Sequence, residues 1–329
     1  RRILDFPMSR LSAGTLSLTL LMAALVSCTG DEKGTDTSTG DGGTDTGDTG
    51  EEPDPVWESV SIESSKSVTG LFVSAQDEAW ISMGGGQTRL FQSGSWTTVD
   101  IEVEDQDLNG IWGSGSGSSA TVVTVGDAGF IGTWTGATWE ITDVGTTNFE
   151  SVDGPFETDL MAVGWGGIYS NASGEWTYVN ITGGHRFNHV WYDGAIGAAV
   201  GEEGALGLYS KGVWTIIQEP ERRAFYGVSG TGPNDIWAVG EKGTVLHWNG
   251  TEWEDLSPEV GEYGIWAVWA PNASNVFIVG NSGLAMVRRS GVWEELPTGT
   301  NKNLYAVGGT GLSDVWAGGG FGTILRYQP

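Results

Sequence analysis

A tryptophan that follows a glycine by two or three positions returns at Trp96, Trp139, Trp176, Trp214, Trp253 and Trp293, at steps of 43, 37, 38, 39 and 40 residues. Self-similarity near 40 residues marks an array of small sheets, because one such unit cannot bury its own apolar face and needs a neighbour to do so. Stepping back 39 residues from Trp96 lands on Trp57, and stepping forward from Trp293 runs past residue 329.

Each period repeats one order of signals, clearest in residues 224–256, AFYGVSGTGPNDIWAVGEKGTVLHWNGTEWEDL, which reads as four strands separated by turns. The second strand and its glycine recur as VVTVG (122–126), LMAVG (160–164), GAAVG (197–201), IWAVG (236–240), VFIVG (276–280) and VWAGG (315–319), with a weaker AWISMGG at 79–85. These runs are apolar on both faces of the alternation, so their sheets must be covered on both sides. The glycine pairs in GEKGT, GDAGF and GNSGL are expected to supply positive φ in hairpin turns. They are not phosphate cradles, because no helix follows to receive an anion. The repeated tryptophans read as packing groups, each ring covering roughly 150 to 250 Å² against an adjacent sheet.

The two ends of the array decide between a ring and an open stack. The last period stops at ILRYQP with three strands, and the folded part opens with VWESVSI, an orphan fourth strand. Joined, they complete one more unit and leave no exposed sheet edge at either end. The expected fold is therefore all-β, a seven-bladed β-propeller over residues 56–329. Its blades are four-stranded and antiparallel, and the N-terminal strand completes the last one. An open stack or two separate β-domains is the competing arrangement.

Residues 8–28, MSRLSAGTLSLTLLMAALVSC, have the layout of an export signal: Met8 as the expected start, Arg10 as positive flank, an apolar stretch from Leu16 to Val26, and small residues before Cys28. Leu25, Val26, Ser27 and Cys28 resemble the lipobox of bacterial lipoproteins, in which the cysteine is acylated and becomes the new N-terminus. Each buried methylene of such chains contributes about 0.8 kcal/mol, so several chains together hold a protein to a bilayer. Cys28 is the single cysteine, which excludes an intramolecular disulfide. Residues 29–55, TGDEKGTDTSTGDGGTDTGDTGEEPDP, carry no aliphatic or aromatic anchor apart from prolines, and are expected to be a disordered tether. By resemblance to other lipoproteins, Thr29 after the cysteine points to the outer membrane.

Units such as GTGPNDIWAVGEKGTVLHWNGTEW (230–253) and GTGLSDVWAGGGFGTILRYQP (309–329) resemble the repeats of bacterial propeller lipoproteins, distantly similar to photosystem II assembly factor propellers and to Asp-box proteins. The resemblance covers residues 57–329. It lacks an intact Ser-x-Asp-x-Gly-x-Thr-Trp box, so it implies a fold more than an activity.

A formal net charge of −27 argues against nucleic-acid partners, which require clustered Lys and Arg. No catalytic constellation stands out. The three histidines, at 185, 189 and 247, lack metal-ligand spacing, the acidic runs miss the calcium-loop pattern, and no serine sits in a nucleophile elbow. No cofactor and no metal are expected. The loops leading into the innermost strands surround the channel mouth, and there the candidate binding residues are Arg186, Arg222 and Arg223 with Tyr226, Trp266 and Tyr305. Arginine beside aromatic rings fits an anionic peptide or a sugar. The competing reading pairs the arginines with acids such as Glu219 and Glu221 and places the aromatics in the core. The expected function is a lipid-anchored, monomeric, non-catalytic module for an envelope or extracellular protein partner. A carbohydrate-binding propeller is the first alternative and a glycan-acting enzyme the second.

Overall fold

The computed structural model describes residues 56–103 and 106–328. The expected signal, Cys28 and the tether lie outside the described residues. Seven four-stranded antiparallel sheets follow one another along the chain, at 68–98, 108–143, 149–179, 187–218, 225–255, 265–295 and 304–328. We number these blades 1 to 7. Their innermost strands neighbour each other in order, and the one in blade 7 lies against the one in blade 1, so the ring is closed.

Closure runs as the two chain ends predicted. Val56–Ser59 pairs antiparallel with Ile324–Gln328 as the outer strand of blade 7, in the register Trp57 to Tyr327 and Glu58 to Arg326. The Trp57 and Tyr327 rings meet at 5.3 Å between centroids. Ser61 extends the seam by accepting the Ile324 N–H at 3.0 Å and donating its hydroxyl to the Ile324 carbonyl at 3.1 Å. Across the joint from blade 7 to blade 1, buried Arg326 donates to Asp314 at 2.9 Å and also pairs with Asp77 of blade 1. Asp314 accepts the Trp316 indole N–H at 3.0 Å, which ties the ion pair into the core.

Each repeat tryptophan sits second or near it on an outer strand and covers the preceding blade. Trp96 packs with Trp316, Trp139 in the cluster of Trp80, and Trp293 in the cluster of Trp237. The second strands are buried along nearly their whole length, as the double-sided apolar runs require. One expectation needs correction. The second glycine of each hairpin pair does have positive φ, as at Gly204 (75°), and so does the non-glycine residue before it, Glu203 (54°). The first glycine of the pair is extended; at Gly201 a Cβ would stand 1.9 Å from the Arg186 carbonyl oxygen. It is glycine because the inner strand's entry passes against it, not because of its φ.

Candidate functional site

All seven innermost strands carry a β-bulge at their second residue, where the pairing register to the second strand skips one position. A bulge re-aims the extra side chain, and here it turns one residue per blade into the channel mouth. Around the ring these residues are Thr69, Asn109, Glu150, Asn188, Tyr226, Trp266 and Tyr305. They line one end of a cavity of about 970 Å³ whose walls run along the inner strands, the end that carries the blade-to-blade loops and the turns between second and third strands.

The seven residues divide into two groups. Thr69, Asn109 and Asn188 reach sideways to the first carbonyl of the next blade's inner strand. Thr69 donates to Leu108, Asn109 to Phe149 at 2.9 Å and Asn188 to Phe225 at 2.9 Å. These are staples between blades. Glu150, Tyr226, Trp266 and Tyr305 make no such bond.

The three aromatics occupy consecutive blades and form one arc. Tyr226 and Trp266 are stacked at 4.3 Å and 24°, and Tyr305 meets Trp266 edge-on at 5.5 Å and 77°. Turn residues of their own blades fix two of them: the Trp266 indole N–H donates to Asn281 Oδ1 at 2.6 Å, and the Tyr226 hydroxyl lies 3.5 Å from Glu241 Oε1. Burial and the neighbouring Glu241 and Glu202 push the Tyr226 phenol up to about 12, so it stays a neutral donor.

The other arc is acidic. Burial, then the Asp127 carboxylate and then Glu202, push the Glu150 carboxyl up to about 7, and a hydrogen bond from Trp165 offsets part of this. Asn109 donates to Asp127 at 3.1 Å and Asn188 to Glu202 at 3.0 Å, so both turn acids are held at the mouth. Deeper in the wall, burial holds His189 near a pKa of about 4 and raises Asp153 to about 7.

The arginines singled out from the sequence stand on the same face but outside the cavity lining. Arg223 pairs with Glu219 at 2.9 Å and Glu221 at 3.5 Å and donates to Thr244 at 2.9 Å; Arg222 pairs with Glu203. The Arg186 guanidinium lies 4.8 Å from the ring centre of the exposed Trp165. The structure thus brings Tyr226, Trp266 and Tyr305 together, while the arginines are spread along the rim and engaged by neighbours. Sequence reasoning passed over Glu150 and the turn acids Asp127, Glu202 and Glu241. Aligning the seven repeats on the first residue of each inner strand would have put Glu150 in one column with the aromatics.

No protein-family model matches the chain, and neither does any curated protein sequence. Solved structures do match in fold. YCF48 bound to D1 peptide has a TM-score of 0.69 at 15% identity, covering 83% of this chain and 95% of that one. YCF48 from Cyanidioschyzon merolae gives 0.67 at 17%, covering 83% and 99%. A catalytically inactive virginiamycin B lyase from Staphylococcus aureus with quinupristin gives 0.70 at 13%, covering 84% and 99%. At such identities the likeness shows the seven-bladed β-propeller that this chain shares with these proteins, and leaves function to the site.

Proposed function

We propose that this chain is a non-catalytic binding module that holds an extended segment of a protein partner across the channel mouth. The observation that carries it is the arc of Tyr226, Trp266 and Tyr305, set by bulges at the rim of a 970 Å³ cavity and excused from the inter-blade work of its ring neighbours. Rigid aromatics at a pre-formed concavity are the anchors that dominate peptide recognition. That a propeller of the same fold, YCF48, is seen with a D1 peptide supports the reading. Arg186, Arg222 and Arg223 frame the rim of this face. In the same proposal Cys28 carries the lipid that tethers the ring to the envelope, at the outer membrane.

Peptide display against the full chain, counter-screened with Trp266→Ala, tests it. Selected peptides are expected to lose at least tenfold in affinity on that change, roughly 1.4 kcal/mol. Recovery of no peptide dependent on Trp266 would sink the reading. Radiolabelled palmitate entering the wild type but not Cys28→Ser tests the tether. A glycan-binding propeller predicts equivalent aromatics around the ring, whereas aromatics fill only three of the seven bulge positions. A glycan array is accordingly expected to stay silent.

A further inference from the structure

The cavity lining contains Glu150, Asp153, Asp193 and Glu202 and neither lysine nor arginine. Its one basic side chain, His189, is kept neutral by burial, and its Nδ1 is buried without a partner. Among the described residues no ion pair includes Glu150 or Glu202. The rim arginines do not supply the missing charge, since Arg222 and Arg223 are paired with Glu203, Glu219 and Glu221, and Arg186 is seated on Trp165. Glu150 answers by holding its proton up to about neutral pH.

Two of these acids, Glu150 and Glu202, stand at the same end of the channel as the aromatic arc. Glu202 acts on both Glu150, one blade before it, and Tyr226, one blade after. A group entering over Tyr226 and Trp266 therefore meets ring faces with negative quadrupoles first and carboxylates next. Both features attract a cation, and only a long amphipathic side chain can lay an apolar stem on the rings while its head reaches the acids.

We propose that the mouth recognises an arginine or lysine side chain of the partner's segment, its stem across Tyr226 and Trp266 and its charge between Glu150 and Glu202. This rests on the binding reading above and names the chemistry of its ligand. Such a partner reverses the sequence expectation of an anionic peptide, because the arginines that prompted it are already satisfied within the protein.

The test uses four pools of nine-residue peptides, randomised except for a central Arg, Lys, Glu or citrulline, the last an uncharged match for arginine. Binding to the full chain is measured at low and at physiological salt. The Arg and Lys pools are expected to bind at least about tenfold tighter than the citrulline and Glu pools, and to lose part of that margin as salt rises. The double substitution Glu150→Gln, Glu202→Gln is expected to erase the margin while the citrulline pool still binds and the melting temperature does not fall below that of the wild type. Trp266→Ala is expected to weaken every pool. Equal binding of the Arg and citrulline pools, still dependent on Trp266, would overturn the cation proposal and leave the binding reading standing. Binding of no pool would overturn both.

Discussion

The two ends of one set of strands are built on different rules. Toward the far end of the channel, at six of the seven joints, the fifth residue of one inner strand meets the sixth residue of the next blade. Where the fifth is aromatic the sixth is glycine: Phe72 lies against Gly113, Trp191 against Gly230 and Trp269 against Gly309, and Trp112 donates its indole N–H to the Gly154 carbonyl at 2.7 Å. Where the sixth carries a side chain, the fifth is small or polar. Asp153 accepts the Tyr192 N–H at 2.8 Å and Ser229 accepts the Ala270 N–H at 3.1 Å, while a Cβ on Gly308 would come no nearer than 4.0 Å, to the Leu71 carbonyl oxygen. At those six joints the residue on one blade is explained by the blade beside it. At the mouth only Thr69, Asn109 and Asn188 are explained in this way. A side chain that closure does not need, on a scaffold that holds it rigid, is where binding is to be sought.

The sharpest way to break this contrast is to fill a seat at the far end. A Cβ on Gly113 would stand 2.2 Å from the Phe72 ring, so Gly113→Val is expected to destabilise by about 3 kcal/mol or more, a fall of roughly 6 to 12 °C in melting temperature. Phe72→Ala in the same chain should return part of that loss, since the two residues share one space, and a double-mutant cycle by calorimetry reads the coupling. Asp314→Ala is expected to cost about 2 to 3 kcal/mol, because it leaves buried Arg326 with Asp77 as its one acid partner and the Trp316 indole N–H without its acceptor.

At the mouth the effects are smaller, and one has the opposite sign. The Glu150 pKa is raised on folding, so the folded protein binds the extra proton. Its ionisation then opposes folding as pH rises from about 4.5 to about 7, and the full penalty persists above that. Glu150→Gln is therefore expected to stabilise by about 1 to 2 kcal/mol at pH 8, after allowance for solvent at the mouth, and by nothing at pH 4. Urea unfolding at the two pH values reads this directly. Asn188→Ala, which removes one staple, is expected to cost about 1 kcal/mol by the same measurement.

The sequence carried the ring itself: the period, the double-sided apolar second strands and the two complementary ends led to seven blades and to VWESVSI as the closing strand, of which Val56–Ser59 pairs. It also placed Tyr226, Trp266 and Tyr305 at the starts of inner strands. What it could not show was distance. Whether Arg223 is free or bound to Glu219 depends on a loop conformation that brings them within 2.9 Å, and the acidity around Glu150 comes from Asp127 and Glu202 of the adjoining blades. The first glycine of each hairpin was misread for a related reason, because steric crowding from another strand leaves no local signature, whereas turn geometry does.

Trp266→Ala, followed in parallel by calorimetry and by affinity for peptides selected on the wild type, tests the division between the two ends most directly. We expect a melting temperature within about 4 °C of the wild type, the loss of one half-buried stacking partner, together with at least tenfold weaker binding. A melting-temperature fall as large as that of Gly113→Val, or peptide affinity left unchanged, would contradict it.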